Sequence, residues 1–236
     1  MTTGSHADAD AGADVDADGG WLAEVQRLDA AVYLAVARTP TPRLDAGLRR
    51  LSNAANYSRL SLASAAVLAS VGGDRGRRAA ASGLATVGMT SAFVNLLVKP
   101  MGRRRRPERD THEHGRVRHV SMPTSASFPS GHTAAAFAFA SAVGRVLPVG
   151  GIPLRALAAL VGYSRVHTGV HYPGDVIAGA LIGAVTADVS ADTVDGAISR
   201  IATRLSSRSS SRRSRARRRR RRPGRRAQVS GSSRSR

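Results

Sequence analysis

Between Arg78 and Lys99 the chain runs through 20 residues, Ala79–Val98, without a formal charge. As a helix, such a run is about 30 Å long, the thickness of the hydrocarbon layer of a bilayer. It therefore reads as a membrane-spanning helix, and the apolar runs around it are shorter or interrupted. They are Leu60–Gly73, Thr133–Gly144, Leu154–Tyr163 with Arg155 inside, and Val176–Ala187. Trp21–Ala37 carries Glu24, Arg27 and Asp29 and reads as an amphipathic helix, either interfacial or a first span. Six helices are predicted. Phe and Tyr are scarce and strict alternation is missing, so a sheet is excluded. The prolines are expected between the helices, where a missing N–H does least harm. Stretches such as SAAVLAS and AGALIGA supply small residues that let helices approach closely. The expected fold is an all-α, six-helix, membrane-embedded bundle.

Charge divides the chain into three parts. The net charge is +20, but residues 200–236 hold 16 Arg and no acid, leaving 20 basic against 16 acidic residues before them. That Ser/Arg stretch repels itself and predicts a disordered basic tail. Residues 1–20 alternate Ala, Asp and Gly, bury almost nothing, and predict a disordered acidic leader with no signal-peptide pattern. The folded domain is placed at 21–199. The tail suits anionic lipid headgroups on the cytoplasmic side. It interleaves no aromatics for base stacking, so nucleic acid is not the expected partner. Cysteine is absent, which excludes disulfides, thiolate metal sites and a cysteine nucleophile.

Three polar clusters punctuate the apolar body. Lys99–Pro107 follows the uncharged helix, Pro129–His132 opens the next, and Ser164–Asp175 bridges the last two. Antiparallel helices would bring all three to one end. Lys99, Arg106 and Arg165 would then offer cationic donors to phosphate oxygens. Ser130 and the Gly131 N–H would sit at a helix N-terminus, where unpaired amides favour an anion. His132 and His171 can each act as a nucleophile or exchange a proton near neutral pH, and Asp175 can aim His171. His167, His171 and Asp175 also have metal-ligand spacing, but Gly169, Pro173 and Gly174 break the helix between them. Thr111–His114 looks chelator-like and reads as a polar loop. Arg103, Arg104 and Arg105 read as solvent or headgroup contacts.

These clusters resemble the three-part signature of the type 2 phosphatidic acid phosphatases, whose pocket is shared with vanadium-dependent haloperoxidases. The signature, Lys-x6-Arg-Pro, Pro-Ser-Gly-His and Ser-Arg-x5-His-x3-Asp, matches at every position, and the resemblance spans roughly residues 21–190. It implies a membrane lipid phosphate phosphatase acting on a phosphomonoester or diphosphate of a lipid alcohol, such as phosphatidic acid, a polyprenyl phosphate or a lipid-linked sugar phosphate. It further implies His171 as nucleophile forming a phosphohistidine, Asp175 as its orienting acid, and His132 as general acid and base. Lys99, Arg106, Ser130, Gly131 and Arg165 would hold the phosphoryl oxygens, with no metal or cofactor. The expected location is the cell membrane, multi-pass, with the site on the extracytoplasmic face. Two other readings remain open: a membrane-tethered basic protein binding nucleic acid or anionic lipid without catalysis, and a haloperoxidase using vanadate in the same pocket.

Overall fold

The computed structural model describes residues 13–102, 104–109 and 118–220. Among these the chain is helical with no strand. Eight helices of a dozen or more residues are found in place of the six expected. They are α1 (Ala13–Arg38), α2 (Pro42–Ala54), α3 (Arg59–Val71), α4 (Gly73–Phe93), α5 (Gly131–Val146), α6 (Pro148–His167), α7 (Pro173–Val189) and α8 (Ala191–Arg220). α4 continues through a π-type turn at Val94–Val98 to Met101.

The two additional helices are the polar ones. α2 carries Arg43, Asp45, Arg49 and Arg50, and its charges hide it from a search for uncharged runs. Backbone is helical at 13–20 and 200–220, where the composition predicts disorder. Ala and Arg are strong helix formers, a preference that needs no core. The remainder of both tails, 1–12 and 221–236, lies outside the described residues, as does the Thr111–His114 loop. The chain divides into two units, 1–194 and 195–236, and the described part of the second is helical.

The prolines also depart from expectation. Pro42, Pro148 and Pro173 lie in the first turn of their helices, where the absent N–H has no intrahelical partner. Pro153 sits inside α6, which starts one and a half turns before the apolar run that reveals it. Its ring removes one hydrogen bond from that helix.

α5 is the centre of the first unit and packs against α4, α6 and α7. Ala134, Ala138, Phe139, Ala140, Ala142 and Val143 on α5 are all buried. The seam with α7 explains why. A Cβ added to Gly179 would come within 2.5 Å of the Ser130 carbonyl, and one on Gly183 within 2.2 Å of the Ala134 carbonyl. With Ala187 these glycines form a buried small-residue stripe at intervals of four, which brings the two backbones together. The opposite side of α7 is a stripe of large aliphatics, Ile177, Leu181, Val185 and Val189, all 57% exposed or more. Leu62 and Val67 on α3 and Leu96 and Leu97 beyond α4 are likewise exposed. Gly73–Met101 is long and apolar enough to cross a membrane.

The seam is directly testable. Gly183→Ala should cost about 1–3 kcal/mol through overpacking. Gly88→Ala, with nothing within 4 Å of the added methyl, should be neutral or stabilising by up to about 1 kcal/mol. Thermal unfolding of the two purified variants separates these outcomes.

Candidate active site

The end of α4, the start of α5 and the α6–α7 junction meet at one end of the bundle. The backbone N–H of Ser130 donates to the Asp175 carbonyl at 2.9 Å, joining the first turns of α5 and α7. A Cβ on Gly131 would lie 3.7 Å from Lys99 Nζ, so the end of α4 faces the start of α5. His132 lies within electrostatic range of Arg165, His171, Lys99 and Arg106. All eight residues singled out by the motifs therefore belong to one cluster.

Arg106 is its hub. Nη1 donates to the Val170 carbonyl at 2.7 Å and approaches His171 Nε2 at 3.3 Å. Nε donates to the Ser125 carbonyl, and Nη2 to the Ala126 carbonyl. Nη2 also reaches the Ser125 hydroxyl at 3.3 Å, and Lys99 Nζ donates to that same hydroxyl at 3.2 Å. Two cationic donors thus converge on one oxygen.

His171 lies in the loop between α6 and α7 and is 2% exposed. Its Nδ1 is 3.5 Å from Asp175 Oδ2, in ion-pair range but longer than a well-formed hydrogen bond. Burial pushes the imidazole down to about 4; Asp175 opposes that shift, and Arg106 and Arg165 add to it. The ring is therefore neutral at ordinary pH, with Nε2 turned toward Arg106.

Asp175 is fully buried and well supplied with donors. Oδ2 accepts from the Ser127 hydroxyl at 2.5 Å and from the Tyr172 N–H at 2.9 Å. The second bond is one half of a capping box at the start of α7. Oδ1 accepts from Arg104 Nη1 at 3.0 Å. The other arm of Arg104, Nη2, reaches Asp29 on α1 at 2.6 Å, and its guanidinium stacks 4.1 Å over the Tyr172 ring. Asp29 also accepts from the Gly174 N–H at 2.7 Å.

Arg104 thus differs from the solvent or headgroup contact that the arginine run suggests. In a stretch of four consecutive arginines no local signal separates the structural one from the others. Arg105 is exposed, and residue 103 lies outside the described residues.

Two more of the anticipated phosphate ligands, Ser130 and Arg165, are likewise engaged with the protein. Ser130, fully buried, pairs its hydroxyl with that of Thr133 at 2.9 Å. Arg165, 1% exposed, donates from Nη1 to the Ser52 hydroxyl at 2.7 Å and to the Ser52 carbonyl at 3.3 Å. Ser52 belongs to α2, so the unforeseen helix lines the site. His167 turns away from His171 and approaches Asp45 and Thr41 on the α2 side, at 3.2 and 3.0 Å. Among the described residues no three His, Asp or Glu side chains are gathered as metal ligands would be.

The family model of the PAP2 superfamily matches residues 79–197, just over half of the chain. The chain belongs to the PAP2 superfamily. Relatives of this PAP2 protein include the lipid A 1-phosphatase of Rhizobium etli, 37% identical over 97 residues, which is 40% of this chain and 41% of that one. Another is the decaprenylphosphoryl-5-phosphoribose phosphatase of Mycobacterium tuberculosis, 38% identical over 94 residues, 38% of this chain and 47% of the other. The matched stretch spans less than half the length of each relative. Among solved structures, a transmembrane PAP2-type phosphatidylglycerolphosphate phosphatase from Bacillus subtilis is similar, at 25% identity and a TM-score of 0.54. That match covers 75% of this chain and 88% of that one. The family match begins at residue 79, so α1 and α2, which contribute Asp29 and Ser52, fall outside it, as does Asn56 in the turn before α3, whose Oδ1 lies 2.9 Å from His132 Nε2.

Arg104→Ala would leave two buried carboxylates sharing one lost partner. A stability loss of about 3 kcal/mol is expected, the lower end for a broken buried pair because 26% of the Arg104 side chain is exposed. Arg105→Ala should stay within about 0.5 kcal/mol of the parent protein. Thermal or denaturant unfolding of the pair checks both.

Proposed function

We propose that this PAP2 protein is a membrane lipid phosphate phosphatase that works through a phosphohistidine. The observation that carries the reading is the arrangement around Arg106: one guanidinium lies 3.3 Å from Nε2 of a buried imidazole and shares an oxygen with Lys99. A phosphoryl oxygen held between those cations would set phosphorus beside Nε2. Phosphoryl transfer chiefly requires such positioning and charge neutralisation.

In the first step the Nε2 lone pair forms a bond to phosphorus. The ester P–O bond breaks, and its electron pair leaves on the lipid oxygen. Asp175 stabilises the cationic ring from the Nδ1 side, and His132 gives the departing oxygen a proton. In the second step water attacks phosphorus, His132 takes the water proton, and the P–N bond breaks. Lys99, Arg106 and Arg165 carry the charge of the phosphoryl oxygens, so the chemistry is assigned to protein groups without a divalent cation.

A lipid substrate and a bilayer setting are supported by the division of side chains on α7. Small residues face the protein, and Ile177, Leu181, Val185 and Val189 face outward. A large exposed aliphatic surface over a core of Ala, Gly, Ser and Thr suits hydrocarbon surroundings. Phosphatidic acid and polyprenyl phosphates or diphosphates remain the proposed substrate types. The relatives are named for phosphates on lipid A, decaprenylphosphoryl-5-phosphoribose and phosphatidylglycerolphosphate.

The test is phosphate release from a panel of lipid phosphates by the purified protein. His171→Ala should abolish turnover together with any acid-labile phosphoenzyme, and His132→Ala should lower it about 100- to 10,000-fold. Excess EDTA should leave activity in place, and vanadate should inhibit. A strict requirement for added divalent cation would refute the mechanism.

The low proton affinity of His171 fixes a pH dependence. The nucleophile is the unprotonated ring, so its share of kcat/KM persists as pH falls and is lost only through about 4. After correction for ionisation of the substrate phosphate near about pH 6, kcat/KM should hold down to about pH 5. A loss centred near the ordinary imidazole value of about 6.5 that survives this correction would contradict a buried, neutral His171.

We also place the site on the extracytoplasmic face. A cytoplasmic setting for the opposite end of the bundle is supported by Arg75, Arg77 and Arg78 at the start of α4 and Arg145 near the end of α5. Because the chain lacks cysteine, single cysteines report sidedness cleanly. In intact cells a membrane-impermeant maleimide should label Tyr57→Cys at the site end. It should spare Val149→Cys at the other end, both parent positions being more than 80% exposed. The reverse pattern would invert the orientation.

A further inference from the structure

The turn between α2 and α3 has an unusual backbone. Tyr57 and Ser58 both adopt left-handed conformations, with φ of 56° and 55°. Neither is glycine, and two such residues in succession carry a conformational cost that the surrounding structure must hold in place. The turn presents Asn56, whose Oδ1 lies 2.9 Å from His132 Nε2 across 76 residues of sequence. Ala55, Tyr57 and Ser58 also wall a cavity of about 150 Å³ whose other side is Lys99, Gly131 and His132. The strained segment therefore sits against the anion-binding cations and the proton-transferring histidine together.

We propose that Asn56 is the positioning residue of His132, fixing the imidazole so that Nδ1 exchanges the proton with the departing lipid oxygen and then with water. The inference rests on the acid and base role given to His132 above. Its chemistry complements that of Asp175 at the other histidine. A carboxylate beside His171 stabilises the positive charge the nucleophile acquires. An amide beside His132 accepts the Nε2–H without adding a charge, so the ring is aimed while the Nδ1 proton stays mobile. Asn56 lies outside the stretch matched by the family model, and none of the three motifs includes it.

A positioning role differs from a structural one in its dependence on the leaving group. Departure of a lipid alkoxide requires the proton from His132, whereas a nitrophenolate leaves without one. Asn56→Ala should therefore lower kcat/KM for phosphatidic acid about 10- to 100-fold. For a nitrophenyl phosphate bearing an alkyl tail the same variant should change it less than about threefold. Turnover of the nitrophenyl ester doubles as the control that the variant folds. Asn56→Asp, which keeps an oxygen toward Nε2 but adds a charge that holds the His132 proton more tightly, should recover only part of the activity lost on phosphatidic acid. His132→Ala should show the same leaving-group pattern with a larger loss. Equal losses on both substrates, or no loss on phosphatidic acid, in Asn56→Ala would overturn the proposal while leaving the role of His132 intact. A His132→Ala variant without leaving-group selectivity would remove that role, and the proposal with it.

Discussion

The fully buried carboxylate of Asp175 is the point on which the site depends. It caps the start of α7, accepts from Ser127, and takes one arm of Arg104 while facing His171 across 3.5 Å. Its own backbone carbonyl receives the first N–H of the α5 entry. An ionised carboxylate is costly to bury unless donors surround it. The donors here come from the 104–109 segment, from the approach to α5 and from the α7 cap. Satisfying one charge thus draws together the chain segments that carry the other functional groups.

That convergence is possible because the helices are thin where they cross. Gly179 and Gly183 bring α7 against the α5 backbone, leaving no room for a methyl group. The stripe that begins with Asp175 continues as Gly179, Gly183 and Ala187. One helical face therefore delivers the carboxylate at its tip and the close packing below. The large aliphatics displaced from this seam lie on the outside, so the packing that builds a polar site also generates the apolar exterior.

The site contains two histidines in different surroundings. His171 is enclosed, flanked by a carboxylate on one nitrogen and a guanidinium on the other, and burial keeps it unprotonated. His132 meets a neutral amide. A nucleophile and a proton carrier make opposite demands on an imidazole, and environments this distinct suit the two roles proposed for them.

Much of this was legible in the amino-acid order. Apolar runs located five of the eight helices and an amphipathic pattern located a sixth, α1, because a face that is buried or meets lipid carries few charges. The three motifs named Lys99, Arg106, Ser130, Gly131, His132, Arg165, His171 and Asp175, which are local in sequence and chemically distinctive. Asp29, Ser52, Asn56 and Arg104 were not legible. Each acts through a partner 71 to 113 residues away, and nothing in the residues beside them encodes that distance. α2 stayed hidden for a related reason: its charges are those of a helix lining a polar site, and a search for uncharged runs passes over it. The sequence by itself determined the helical class, the family and the motif residues that form the candidate site, since these follow from hydropathy and short-range spacing. Only the tertiary structure decided which arginine holds the Asp175 carboxylate and which amide faces His132, because those pairings exist only after helix packing brings distant backbones together.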